Sequence, residues 1–578
     1  MFSRVAFSVL PFSVLPDEDD LSIPSSLSLI LADRDADLLF LLVGEPLALG
    51  STVHGGLPLS GMSVPGMSLE DEEYSVEGSI VLIADKEFHT EPEDDPANKT
   101  ASPRLIQPFN FRIDVPLFNS GESRGRSAIG NVDIMNDDGG IDSLMDVVWV
   151  GRTVRIKVGG TTNVGKWNER TLTYSEMETI FKGTVETVSW DESKITLGIR
   201  DSSSRLNKPI QSLVYSGSGD FEGDADLAGK NKPMSFGRVF NASPALVNKV
   251  NNVFQAHYRS MQSVDEIRDQ GLPLVSDGDI TDSSLGLSSV LDWTPVAAHY
   301  ITDLNLGLIR LGNAAAGKVT FDGHGDNEGS YIDTLIEIFR RVAVTFGAVS
   351  DPDEIDVNAF TLALLRESSE AGLFVGTEPR DISDVLDELM FSADGWWSFT
   401  REGTLTVGIF RDPDGEVATR TVTDTVIENF SLAKEEAGQP AWRYALGYKR
   451  NWSPQTRDEL ADTVTASNRE LYSEEYRYVS FSKSSLRSIY TEAKDVKVGS
   501  LLYDQTEAQT QVNQRGARDS GKRRKYKLRL SRDLFQYRVG QVITLVYDRF
   551  GLENGKNFFV TAVVENAVTR ITELEILG

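Results

Sequence analysis

The chain contains no cysteine. Disulfides, cysteine-ligated zinc, iron–sulfur clusters and thiol nucleophiles are thereby excluded. Histidine is nearly absent, at five in 578 residues. H-E-x-x-H does not occur, no histidine has an H-x-x-x-H partner, and no serine nucleophile elbow is read, so the common hydrolase signatures find no foothold. No apolar run approaches the roughly 20 residues needed to span a bilayer as a helix. Positive charge is also short: 57 Lys and Arg stand against 87 Asp and Glu, a formal net charge of -30. Such a surface repels nucleic acid and anionic membrane unless a local basic patch intervenes. Its plainer reading is a solubility or halophilic trait.

Alternation is what the sequence has in plenty. Val154, Ile156 and Val158 share one face, with Arg155 and Lys157 on the other, and Ile180, Val185, Val188, Ile195, Leu197 and Ile199 continue the pattern. With turns such as Asn136–Gly140, this predicts half-buried antiparallel strands between Arg124 and Arg200, closed as a compact barrel or sandwich. Two segments carry helical spacing instead. Ile332, Leu335, Ile336, Phe339, Val342, Ala343 and Phe346 form one stripe, and Ile382, Val385, Leu386 and Leu389 another. Ser330 and Asp381 are the expected N-caps, and Gly347 ends the first helix. The segment between them reads as a loop, then a strand or short helix. The second helix runs into Gly395-Trp396-Trp397, a strand that turns at Arg401–Gly403 and returns through Leu405, Val407 and Ile409.

A chain of this length exceeds one core. The expected fold class is mainly β with a small α+β portion, multidomain, with β-barrels plus a two-helix/β-hairpin domain. The expected segments are an N-terminal extension (1–78), a β-barrel (79–215), a β-rich insert (216–330), a helix/β-hairpin domain (331–425) and a C-terminal β-barrel region (426–578). The first 16 residues carry one Arg and an apolar run broken by Pro11, with no small-residue cleavage site before Asp17. A strand pair over Val5–Leu15 is therefore preferred to a signal peptide. Leu27–Leu49 supplies further strands, Gly50–Ser68 a flexible loop or partner-ordered arm, and Leu69–Tyr74 a solvated link.

Several motifs recur in a telling order. N-x-D-G-G-x-D-x-L begins at Asn136, W-V-G-R-x-V-x-I at Trp149, F-x-G-T-V at Phe181 and L-x-I-R-D at Leu197. G-K-x-K-P-x-x-x-G-R-V-F-N-x-x-P follows from Gly229, W-R-x-x-x-G-Y-x-R-N-W from Trp442 and G-L-x-x-G-K-N-F from Gly551. Over roughly residues 80–578 this order resembles the tail hub (baseplate hub, tail tip) proteins of long-tailed, siphovirus-like bacteriophages and gene transfer agents. The resemblance implies a virion structural protein with two tail-tube-like barrels per subunit and no enzymatic activity. It implies a homotrimer ringing the distal end of the tail and closing the lumen until DNA ejection. The implied partners are the distal tail protein, the tape measure protein and tail fibre or tip proteins. DNA would be met only in transit, and this chain would insert into no membrane. Its place would be the virion, after synthesis in the host cytoplasm. No catalytic, cofactor-binding or metal residue is assigned, and no cofactor.

Individual residues still invite chemistry. His89 lies beside Glu91 and Glu93, but one histidine among loop acids is ordinarily solvated. Asp220, Glu222, Asp224 and Asp226 lack the terminal Glu of an EF-hand and read as a loop. Asp277, Asp279 and Asp282 form another acidic turn. His299 and His324 read as core or surface histidines before ligands. Gly229–Lys232 lacks the spacing that wraps phosphates. Trp396 and Trp397 could stack a sugar or a base, but a strand points them to opposite faces, and one in the core with one at a subunit contact is the favoured reading. Lys522–Lys527 is the one dense basic run: nucleic acid, the tape measure, or a salt-bridged strand or subunit interface could answer it. Two further functions stay open. One is a carbohydrate- or receptor-binding tail protein, resting on the tryptophans. The other is a tail-associated glycosidase, since carboxylates are plentiful.

Overall fold

The computed structural model describes residues 37–44, 47–48, 80–107, 110–117, 121–162, 170–431, 440–531, 534–567 and 569–578. The expectations for 5–15, 50–68 and 69–74 lie outside them. The chain is mainly β and multidomain, as expected.

The first sheet runs 88–89, 100–103, 81–84, 37–44, 153–162, 178–190, 194–200, 132–135, 105–107. The predicted two-residue period is its core: Val154, Ile156, Val158, Val185, Ile195 and Leu197 are all fully buried. The segment expected to be an N-terminal extension supplies a central strand. Asp37–Gly44 pairs with Val154–Thr161 on one side and with Val81–Ala84 on the other. Its sequence, DLLFLLVG, is apolar without alternation because both faces are covered. Phe40 and Leu42 enter the main core. Leu39, Leu41 and Val43 enter a second cluster with Leu82, Phe88 and Met177.

The C-terminal sheet runs 420–422, 542–547, 552–566, 571–577, 525–531, 427–431. Here the expected segment boundaries fail again. Strand Asn110–Asp114 leaves the first sheet and pairs with the far half of Leu552–Asn566, from Asn566↔Asn110 to Ala562↔Asp114. Strand Arg126–Ile129 pairs onto it. A strand of 15 residues is long enough to hold Val542–Tyr547 along its first half and Asn110–Asp114 along its second. One hydrophobic core therefore spans both sheets, with Phe111 and Phe181 rings 6.2 Å apart within it.

The insert is two five-stranded sheets. One runs 272–273, 261–269, 319–326, 234–242, 372–375, and the other 245–248, 253–255, 308–311, 299–303, 275–279. Strand Gly372–Val375 comes from the expected helical segment. That segment holds the two expected helices, Leu335–Arg341, continued by a π turn to Phe346, and Ile382–Ser392, and between them the helix Val357–Arg366, where a strand or short helix was expected. Thr334, not Ser330, caps the first, its hydroxyl accepting from the Glu337 amide. Asp381 holds the N-cap position of the third without a side-chain hydrogen bond, and Gly347 ends the π turn.

The expected C-terminal barrel region is also divided. Residues 441–448, 477–482 and 494–498 form a separate three-stranded sheet backed by helix Gln505–Asp519. Leu446, Val479, Leu502 and Val512 share a core with the helices. Gln511 Nε2 and Arg515 Nη2 each donate to the Ser392 carbonyl at 2.8 Å. The carbonyl end of helix Ile382–Ser392, which lacks intrahelical partners, is thus satisfied from a distant stretch of chain.

Because Asp37–Gly44 is a central strand, Leu42→Ala should cost about 2–5 kcal/mol, the range for a fully buried leucine. Denaturant unfolding checks this; a loss below about 0.5 kcal/mol, typical of a surface site, would mean the segment is peripheral.

Candidate functional site

The tryptophan strand Gly395–Phe399 pairs with Leu405–Ile409. Its two indoles point opposite ways, and both sides are covered. Trp396 is 4% exposed and belongs to the two-sheet core; Trp397 is 0% exposed and belongs to the helical core. The reading of one core indole and one at a subunit contact is corrected on the second count. Stacking of a sugar or base is left without an open ring face. Room for Trp396 is made by glycines: a Cβ on Gly540 (φ +85°) would meet its ring at 2.2 Å and one on Gly408 at 2.6 Å. Trp397 Nε1 donates to Asp387 Oδ1 at 2.8 Å, and Arg124, 5.4 Å from the indole centroid, donates to Asp387 Oδ2 at 2.7 Å. The Trp397 amide donates to Ser123 O at 2.9 Å, and the Gly125 amide to Trp397 O at 2.7 Å. Segment 121–126 is thereby stitched to the tryptophan strand.

Beside this stitch lies a cleft of about 460 Å³, lined by Glu122, Arg124, Arg126, Asp387, Glu388 and Phe391 among others. A smaller recess of about 50 Å³ adjoins it, against Phe410, Tyr444, Val496 and Arg515. The charges of the cleft are paired: Arg124 with Asp387, Arg126 with Glu122, and Glu388 with Arg380 and Arg450. The spelling G-x-S-x-G does occur here, as Gly121–Gly125, where no nucleophile elbow had been read. The geometry gives it no such role. Ser123 is 2% exposed, its hydroxyl donates to Asp387 O at 2.7 Å, and a strand follows it where an elbow needs a helix. None of the residues lining the cleft is a histidine.

The other candidates separate. His89 is exposed and contacts the Thr100 hydroxyl at 3.0 Å. Glu222 pairs with Lys232, and Asp224 and Asp226 with Lys249, so these acids face lysines instead of a shared cation. Asp277 pairs with His299 at 2.7 Å, Asp279 accepts from Thr302 at 2.8 Å, and Asp282 caps its own turn through the Ser284 amide. His324 contacts Ser263 and Asp265. Among the described residues no group of three His, Asp or Glu stands where it could hold a metal ion. Three cations of the basic run are paired within the chain: Arg523 with Asp412, Lys525 with Glu575 and Lys527 with Glu573.

The sequence reading missed a buried polar clamp between the insert and the first helix. His257 and Asp326 are both 0% exposed, with Nε2 3.4 Å from Oδ1. The Ser235 amide donates to His257 Nδ1 at 2.9 Å, while Ser235 Oγ donates away, to Ala256 O. Asp326 also receives Arg259 Nε at 2.7 Å and the Arg341 guanidinium. Serine, histidine and aspartate therefore meet, but the serine hydroxyl is not on the imidazole and the group is sealed. Burial drives the His257 pKa below 6.5 against the opposing pull of Asp326.

No protein-family model matches the chain, and no curated protein matches it. Several solved structures are similar to it at low identity. They include a 43 kDa tail protein of prophage MuSo2 from Shewanella oneidensis, 9% identical, covering 83% of this chain and 93% of its own, TM-score 0.37. A tail protein from Neisseria meningitidis MC58 is 9% identical, covering 81% and 91%, TM-score 0.35. A chain of the virion of a native gene transfer agent particle is 12% identical, covering 65% and 91%, TM-score 0.38.

The depressed His257 pKa makes stability depend on pH. The unfolded chain takes up this proton near pH 6.5 and the fold resists it. The contribution is therefore whole above that value and lost as pH falls, by up to about 1.4 kcal/mol per pH unit. The thermal midpoint of the wild type should drop between pH 7 and 5, and His257→Gln should flatten that slope. An unchanged slope in the variant would show that His257 is not its source.

Proposed function

We propose that the chain is a structural protein of a phage-type virion, the trimeric hub at the distal end of a tail. It joins the tail tube and distal tail ring to tip and fibre proteins, and it closes the lumen until DNA ejection. The observation that carries this reading is the continuity of the scaffold. Strands of the first sheet's segment complete the C-terminal sheet, and one core runs through both. Units joined only by a surface interface move by default; units that share strands and core transmit force. The motif order from Asn136 to Phe558 supports the same reading.

The chain acts on this view as a mechanical part without catalysis. Its cleft presents paired charges, and its Ser–His–Asp grouping is sealed. No helix among the described residues is long and apolar enough to cross a membrane. The acidic balance suits a lumen past which DNA slides without sticking.

Light scattering of the purified chain should give three times 63.7 kDa, and particle images a ring with a central opening. A chain that stays monomeric even with the distal tail ring present overturns the hub reading.

A further inference from the structure

Cations scattered along the sequence gather on the three-stranded sheet of residues 441–498. Arg443, on the central strand, faces Asp495 and Ser482 across the sheet. Lys497 opposes Ala445, and its ammonium lies 4.0 Å from the centroid of Tyr478 on the third strand. Lys494 begins the same edge strand, and Arg477 begins the opposite one. Lys483 and Arg487 sit in the turn that follows, with Arg487 4.7 Å from the Trp442 centroid. All six are exposed; Arg443 and Lys497 share the outer face, while Arg477, opposite Tyr448, and Lys494, in step with Val496 and Val498, start the edge strands on the core-facing side. From Tyr476 to Ser500 there are five Lys or Arg against two Asp or Glu, in a chain of net charge -30.

Most of these clustered cations are not neutralised by the chain itself. In the dense run Lys522–Lys527, Arg523, Lys525 and Lys527 meet Asp412, Glu575 and Glu573. On the three-stranded sheet only Arg443 has a carboxylate partner, Asp495 at 3.5 Å. Arg477, Lys483, Arg487, Lys494 and Lys497 form no ion pair among the described residues. The middle of the sheet carries small residues: Ala445 and Gly447 are buried, and Tyr476 lies over both Gly447 and Gly499. Both edge strands lack a further partner within the described chain.

We infer that the outer face of this sheet is an interaction surface that docks the acidic surface of a second copy of this chain. Charge complementarity selects the occupant, since outside this sheet the chain is acidic and a neighbouring copy brings the carboxylates. A base needs an open ring on which to stack. Here Arg487 lies over the half-buried Trp442 and Tyr476 lies on the sheet, so only Tyr478, 43% exposed with Lys497 over its ring, offers one. Exposed cation–carboxylate contacts set encounter and register more than raw affinity, and salt screens them within a Debye length of about 10 Å at 0.1 M.

The inference rests on the self-assembly reading above, and its test separates the two. Self-association of the full chain is measured by light scattering and sedimentation at about 50 and 500 mM salt. The wild type is compared with K483E/K497E, two exposed changes whose fold is checked by an unchanged melting curve. The inference expects at least a tenfold weaker association in the variant at low salt, and a similar weakening of the wild type at high salt. If the wild type associates and the variant matches it at both salts, this surface is not the interface, while the hub reading stands. If the wild type stays monomeric at both salts with the distal tail ring present, both fail. Salt-sensitive binding of a single-stranded oligonucleotide that K483E/K497E abolishes, with self-association unchanged, would overturn the assignment in favour of nucleic acid.

Discussion

The structure turns on one short strand with a core on each side. Gly395–Phe399 sends Trp396 into the two-sheet core and Trp397 among the helices. A tryptophan buries about 150–250 Å², worth about 4–6 kcal/mol at 25 cal/mol per Å² and an upper bound given a compact unfolded chain. Because the indoles are neighbours in sequence, the two cores cannot shift relative to one another without exposing one of them. The wall is also polar where it must be. Asp387 accepts both the Trp397 indole N–H and the Arg124 guanidinium, so the helix, the strand and segment 121–126 meet at one carboxylate.

Buried ion pairs repeat this logic elsewhere. Arg401, at the turn of the tryptophan hairpin, donates to Glu565 at 3.2 Å and to Phe535 O at 3.1 Å. Glu565 in turn accepts the Phe535 amide at 2.7 Å, holding a residue with φ +60°. Arg518 donates to both Asp394 and Asp519. Pairs like these add little net stability over apolar packing, but losing one partner strands a buried charge. They therefore define which arrangement of units is tolerated, and Arg401–Glu565 and Arg518–Asp394 join segments that are far apart in sequence.

Much of this was legible beforehand, for identifiable reasons. The strands between Val132 and Arg200 announce themselves because one face is buried and the other is not, which writes alternation into the sequence. The stripes around Leu335 and Leu386 do the same for helices. Asp37–Gly44 falls in a segment expected to supply strands, but its place inside the first sheet was hidden because an unbroken apolar run does not say which strands flank it. The excursion of Asn110–Asp114 was hidden because an alternating strand says which face is buried, but not which sheet buries it. Gly121–Gly125 shows the converse error: a catalytic spelling carries no catalysis when a backbone carbonyl takes the serine proton and no histidine lines the cleft.

By itself the sequence determined what is local or compositional. It set the mainly β class, the helix and strand periods, the acidic balance and the exclusion of thiol chemistry. These follow from side-chain type and spacing along one stretch of chain. Tertiary structure alone decided what depends on pairs distant in sequence. It placed both tryptophans in cores, joined two sheets through Asn110–Asp114, paired Arg523, Lys525 and Lys527 with carboxylates and left Arg477, Lys483 and Lys497 without them. Burial and charge neutralisation belong to contacts in space, and a linear pattern records only one of the two partners.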